Sequence, residues 1–390
     1  MSEFKWPLMK DTISFSDRLK LAKFCLTTSR FSAGPLVKDF EKAWSSWIGS
    51  NNSLFVSSGS TANFLLVAAV KDFYGLKDGD AVLLPACTWV TNVSPIMQLG
   101  LRPVFCDINL SDFSFDIENA KKIAAKENIK MIFVTHLLGY SADIEKLREI
   151  FPNALIIEDV CESHGCKGPD GSRRGPEYIG GTFSFYFGHH MTTIEGGMVS
   201  TNNDELADLM RQKRCHGLAR ESKHYDRYAL ENPDIIKSFL FMTDGYNFRN
   251  TDLGACLGLM QLKRLDGMVL TRNDNYRMFH KLIEKFSDKL HLPSINDQIS
   301  SFAFPLICRN SGDRPALMLE MEKQDIEFRP IVSGNLLRQP FLKDYMAETS
   351  MKNADILHNN GLYISNNHFV GSKEITLLET ALDKTFPRRH

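Results

Sequence analysis

Over the first 160 residues, short apolar runs alternate with stretches in which apolar residues recur every three or four positions. The runs at 53–57, 81–85, 103–107, 131–135 and 154–158 have the length of buried strands. Between them, residues 62–73, 91–99, 117–125 and 142–150 carry helical spacing. Such alternation predicts an α/β fold with a mainly parallel sheet covered on both faces, and ligands in such sheets sit beyond the carboxyl ends of the strands. After about residue 250 the rhythm changes to a long helical tract at 252–286, followed by a smaller mixed region. We therefore expect a large domain over 1–250 and a smaller C-terminal α/β domain over 251–390.

Composition narrows the function. A formal net charge of -1 gives no basic surplus for nucleic acid. The eight cysteines include no C-x-x-C pair of the kind that holds zinc or an iron-sulfur cluster, and they read as reduced thiols. The first ten residues lack the basic and apolar pattern of a secretion signal, and no window approaches the length of a membrane span. The expectation is a cytoplasmic protein without membrane contact.

Candidate chemistry falls just after the strands. Ser57-Ser58-Gly59-Ser60-Thr61 places small and hydroxyl residues at a helix start, where open backbone N–H groups form a phosphate cradle; a plain capped helix has the same pattern. Asp159 ends an apolar strand, where an acid needs a partner. A protonated pyridine nitrogen would serve, as would a helix cap or a salt bridge. Trp89 could stack on a flat ring or fill the core. Residues 181–197 hold two adjacent histidines, His189 and His190, shortly before Gly196-Gly197. On a strand these two would point to opposite faces, and no third ligand is evident, so no metal site is expected.

These segments together resemble the sugar aminotransferase family of fold-type I pyridoxal-phosphate enzymes. The resemblance runs from Gly34-Pro35-Leu36-Val37-Lys38-Asp39-Phe40-Glu41, through the Ser-Gly-Ser-Thr cradle, Glu158-Asp159 and Glu195-Gly196-Gly197, to Gly245-Tyr246-Asn247-Phe248-Arg249. It implies an aspartate-aminotransferase-like fold and a homodimer with shared sites. Six residues before the glutamate of Glu-Gly-Gly the family carries the lysine that bonds covalently to the cofactor. Here that residue is His189. Ser184-Phe185-Tyr186, the two histidines and Arg329-Pro330-Ile331-Val332-Ser333-Gly334-Asn335 resemble a histidine-bearing branch of sugar 3-dehydratases that supply deoxysugars to lipopolysaccharide O-antigens.

Imidazole cannot bond to the cofactor aldehyde as an amine does, so the resemblance implies noncovalently held pyridoxal or pyridoxamine 5'-phosphate. It makes Gly59, Ser60 and Ser184 phosphate ligands, Trp89 the stacking ring, Asp159 the pyridine partner and His189 the base. Glu162, one helical turn beyond Asp159, would face the cofactor, and Asn247 would reach the phosphate of the neighbouring subunit. His216, Arg220, Arg249 and Arg329 are candidates for sugar, nucleotide or carboxylate contacts, with an ordinary solvated or ion-paired role as the alternative. A base titrating near neutrality suits proton removal during loss of the sugar's 3-hydroxyl. The implied substrates are a nucleotide-linked 4-keto-6-deoxy sugar and an amino donor, glutamate. A second histidine-bearing branch uses an iron-sulfur cluster held by four clustered cysteines. After His189 this chain has only the dispersed Cys215, Cys256 and Cys308. Two other readings remain open: a nucleotide-sugar aminotransferase, which would retain donor nitrogen in its product, and a noncatalytic binding relative.

Overall fold

The computed structural model describes residues 4–348 and 351–387. Seven strands form its larger sheet: β1 (Asn52–Val56), β2 (Ala81–Pro85), β3 (Arg102–Cys106), β4 (Ile129–Thr135), β5 (Leu155–Asp159), β6 (Gly180–Ser184) and β7 (Gly197–Thr201). Their order is β1-β7-β6-β5-β4-β2-β3. The block from β3 to β6 is parallel, whereas β7 runs antiparallel to both β6 and β1. All five residues of β2 are buried, as expected of a strand covered by helices on both sides. The apolar runs located the first five strands, but β6 and β7, rich in Gly, Ser and Thr, do not stand out by hydrophobicity.

Strand register sets the functional end of this sheet. Thr135 pairs with Asp159, and Asp159 with Thr182. Ser184 pairs with Gly197, which also pairs with Val56. The ends of β1, β4, β5 and β6 thus open toward one region, beside the start of the helix Gly59–Tyr74. Gly197 permits this approach, since a Cβ there would lie 2.2 Å from the Ser58 carbonyl oxygen.

The smaller sheet is antiparallel, in the order β10-β11-β9-β8, with β8 (Leu290–His291), β9 (Ala303–Cys308), β10 (Phe328–Arg329) and β11 (Gly361–Ser365). A 32-residue helix, Asp252–Ile283, joins the two sheets. Thr251 caps it, its hydroxyl accepting from Gly254 N–H at 3.2 Å. Midway along, Asn275 donates to Asn366 and Asn367, just beyond β11. The N-terminal segment crosses to the small sheet: buried Trp6 donates through Nε1 to the Ser365 hydroxyl at 3.0 Å and bridges to Ile326. Among the described residues no helix is long and apolar enough to cross a membrane.

Candidate active site

A cavity of about 470 Å³ lies between the strand ends of the large sheet and the edge of the small one, a size suited to a cofactor or metabolite. The structure brings eight of the residues singled out from the sequence to its wall. They are Gly59 and Ser60 at the helix start, Trp89 after β2, Asp159 and Glu162 after β5, Ser184 and His189 after β6, and Arg329 of the small sheet.

Asp159 is buried, and its carboxylate is held by three neutral donors. Oδ2 accepts from the side-chain amides of Asn63 and Asn92, each at 2.9 Å, and Oδ1 accepts from Cys161 N–H at 2.8 Å. Asn63 is fixed in turn by the Thr182 hydroxyl at 2.6 Å. No ion pair to Asp159 occurs among the described residues. A buried carboxylate given three hydrogen bonds but no cation is ready for a positively charged ligand atom. Asn63 and Asn92 were not singled out from the sequence; a polar amide inside each of two apolar helical stretches was the available signal.

Ser58 caps the helix Gly59–Tyr74 with its hydroxyl bound to Thr61 N–H at 3.1 Å, so the capped-helix reading is correct as far as it goes. Gly59 and Ser60 lie ahead of that bond and line the cavity, at a helix start of the kind that favours a phosphate. Gly59 faces Ser184 so closely that a Cβ would come within 2.6 Å of the serine Cβ. Trp89 is 53% exposed and lines the cavity, which answers the core-packing alternative.

His189 and His190 lie in the loop between β6 and β7, not on a strand, which corrects the alternating-face expectation. His189 Nδ1 stands 3.1 Å from the Ser184 carbonyl oxygen. A carbonyl only accepts, so Nδ1 carries the proton and Nε2 keeps its lone pair in the neutral ring. The rings of Phe302, Tyr186 and His164 pack edge-on around it, at centroid distances of 5.5, 6.0 and 6.3 Å. Burial lowers its pKa to about 4, against the raising effects of the Ser184 carbonyl and Asp159, and Arg272 adds to the lowering. His189 is thus uncharged at neutral pH. His190 faces away, with Nε2 bound to the Ser300 carbonyl at 3.2 Å. Among the described residues no group of His, Cys, Asp and Glu is arranged to hold a metal ion.

Glu162 lies in a turn, not one turn along a helix from Asp159 as the sequence suggested. Burial raises its carboxyl to about 7, opposed by the bond from Leu138 N–H at 3.1 Å and assisted by the charge of Asp159. The folded state therefore holds a proton that the unfolded chain releases near the ordinary glutamate value of 4.5, so stability falls as pH rises from there to about 7 and stays reduced above it. In cofactor-free protein, Glu162→Gln should match the parent near pH 4 and exceed it at pH 8 by about 2 kcal/mol, allowing for solvent in the cavity. Urea unfolding at both pH values measures this. An equal difference at the two would assign the effect to something other than ionisation.

The remaining predicted residues lie outside the cavity wall of the single chain. His216, Arg220, Asn247 and Arg249 are exposed, with Asn247 bridged to Cys215 and Arg249 to Val56. Arg249 thereby sits beside the end of β1. Conversely, the cavity wall includes Met9 and Lys10 of the N-terminal segment and buried Arg272, which periodicity gave no reason to select.

The profile of the DegT/DnrJ/EryC1/StrS aminotransferase family matches residues 14–378. The chain belongs to this family. GDP-4-keto-6-deoxy-D-mannose 3-dehydratase of Escherichia coli O55:H7 (strain CB9615 / EPEC) is 32% identical over 384 residues, covering 93% of this chain and 96% of that one. GDP-perosamine synthase of Caulobacter vibrioides (strain ATCC 19089 / CIP 103742 / CB 15) is 25% identical, covering 92% and 93%. Among solved structures, the E. coli GDP-4-keto-6-deoxy-D-mannose-3-dehydratase with bound hydrated PLP superposes with a TM-score of 0.89 at 29% identity, covering 98% of this chain and all of that one. A GDP-4-keto-6-deoxymannose-3-dehydratase with a trapped PLP-glutamate geminal diamine gives 0.87 at 29% identity, covering 97% of this chain and 100% of that one.

The family's cofactor is pyridoxal phosphate, and the residues present fit it. The uncompensated carboxylate of Asp159 suits a protonated ring nitrogen, and the Gly59 cradle leaves space that any larger residue would fill. The exposed face of Trp89 offers an aromatic surface on the same cavity.

Proposed function

We propose that this protein is a pyridoxal/pyridoxamine-phosphate-dependent 3-dehydratase acting on a GDP-linked 4-keto-6-deoxy sugar, with glutamate as amino donor. The observation that carries the reading is His189: a histidine occupies the family's lysine position, its Nδ1–H is tied to a carbonyl, and Nε2 is left as a lone-pair base in the cavity. When bound, the cofactor supplies an amine for the keto carbon and an electron-withdrawing ring. Gly59, Ser60 and Ser184 would hold its phosphate, Trp89 would lie against its ring, and Asp159 would keep the ring nitrogen protonated. Glu162, held uncharged below about pH 7, can donate a hydrogen bond to the cofactor. His189 Nε2 takes up the proton whose removal drives departure of the 3-hydroxyl. Overall, keto sugar and glutamate give 3-deoxy-4-keto sugar, ammonia and 2-oxoglutarate.

The test is incubation with pyridoxamine phosphate, glutamate and GDP-, CDP-, UDP- or dTDP-linked 4-keto-6-deoxy sugars, with product masses recorded. A product lacking one oxygen, together with free ammonia, supports dehydration. Donor nitrogen in the sugar would instead make the protein an aminotransferase.

A homodimer with shared sites belongs to the same reading. Leu230, Ile236, Phe239 and Phe241 are 81%, 72%, 66% and 54% exposed, an apolar cluster close in sequence to Asn247 and Arg249. Such a surface suits cover by a second copy, which would bring Asn247 to the partner's phosphate site. His189→Ala and Asn247→Asp, each inactive alone, should on mixing and reassociation recover up to about a quarter of parental activity, because half the dimers then hold one intact site. No recovery despite demonstrated subunit exchange would place Asn247 in its own chain's site, and an active Asn247→Asp would place it in none. We place the protein in the cytoplasm, where its free cysteines would remain reduced.

A further inference from the structure

Arg272 lies midway along the helix Asp252–Ile283, is 2% exposed, and lines the cavity. It makes no ion pair with any described acid, unlike the other arginine of the wall, Arg329, which is exposed and paired with Glu327 at 3.3 Å. Its guanidinium reaches only backbone carbonyls. Nη1 donates to Phe302 O at 3.1 Å and to Asn366 O, Nη2 has a long contact to His189 O at 3.5 Å, and Nε has no partner. Of five N–H donors, two are well satisfied. Burial, with no acidic neighbour to oppose it, lowers the guanidinium to about 9. A buried cation in this state is costly unless an anion joins it.

We propose that Arg272 is an anion subsite of the cavity and receives the α-carboxylate of the amino donor. This rests on the function proposed above. The choice of anion follows from position and chemistry. The cofactor phosphate is provided for at Gly59, Ser60 and Ser184. The sugar's diphosphate is separated from keto carbon 4 by the width of the hexose ring. A donor α-carboxylate, in contrast, is bonded directly to the reacting carbon, and Arg272 lies against the backbone of His189. Pairing would also offset the positive charge that disfavours protonation of His189, so the donor would strengthen the base.

The test uses glutarate, a dicarboxylate with no amine, as the probe on cofactor-free protein, so its result does not depend on turnover. In the parent, glutarate should bind by calorimetry and raise Tm, while glutaramide, its neutral diamide, should do neither. Arg272→Met should weaken glutarate at least about tenfold, Arg272→Lys should recover part of that loss, and Arg329→Met should change it less. In loaded enzyme, Arg272→Met should raise the KM for glutamate more than that for the sugar. Equal action of glutarate and glutaramide on the parent, or unchanged glutarate binding in a folded Arg272→Met, would overturn the proposal and leave Arg272 as a strut between helix and small sheet. Failure of the dehydratase reading would appear separately, as normal glutarate binding without ammonia release from any keto sugar.

Discussion

His189→Ala is expected to lower ammonia release by about 10²- to 10⁴-fold, the range for loss of a positioned general base, with little change in binding of pyridoxamine phosphate. The contacts proposed for the cofactor, at Asp159, the Gly59 cradle and Trp89, do not involve the imidazole. The Ser184 carbonyl fixes which nitrogen bears the proton, and alanine removes the lone pair that faces the cavity. Stopped-flow absorbance and ammonia assay on the same preparation separate binding from turnover. Unchanged ammonia release would exclude His189 as the base. With a pKa lowered to about 4, the histidine is unprotonated at every pH above about 5. Loss of activity on its account should begin only below that, and any limb near pH 7 should vanish in Glu162→Gln. His189→Lys restores a primary amine and should give covalently attached pyridoxal phosphate, seen as a mass increase after borohydride reduction.

Asp159→Asn should have the second large effect, weakening cofactor binding by about tenfold to a hundredfold and slowing turnover further. The carboxylate accepts from Asn63, Asn92 and Cys161, and an amide nitrogen in place of Oδ2 would face two donors, leaving buried N–H groups without acceptors. The ring nitrogen would also lose the charge that holds its proton, so electron withdrawal by the ring would fail. Equilibrium titration with pyridoxamine phosphate gives the affinity, and single-turnover reaction with the keto sugar gives the rate. Parental affinity in a folded Asp159→Asn would mean that the carboxylate does not meet the ring nitrogen.

Much of the fold was legible because the signals are local. The runs at 81–85 and 154–158 are too short and too apolar for anything but buried strands, and the long tract at 252–286 keeps helical spacing throughout. Strand direction was less accessible: β7 joins the large sheet antiparallel, and nothing in Gly197–Thr201 encodes the orientation of its neighbours. The paired histidines, His189 and His190, are weighed from sequence as strand neighbours but lie in the loop between β6 and β7. Its conformation depends instead on tertiary hydrogen bonds, including Thr193 N–H to Phe185 O at 3.0 Å.

The amino-acid sequence determined which chemistry was available: a histidine where the family has lysine, an acid at the end of a strand, and small residues at a helix start. These are properties of residue type and of position relative to the nearest element. Only the tertiary structure decided how that chemistry is held. It gave Asp159 two amides from separate helices, fixed the His189 tautomer through Ser184, brought residues 9 and 10 across to the cavity, and buried Arg272 without an acid beside it. Apart from the His189–Ser184 contact, which spans five residues, each of these depends on chain segments tens to hundreds of residues apart meeting within a few ångströms, and periodicity along the chain carries no record of such distances.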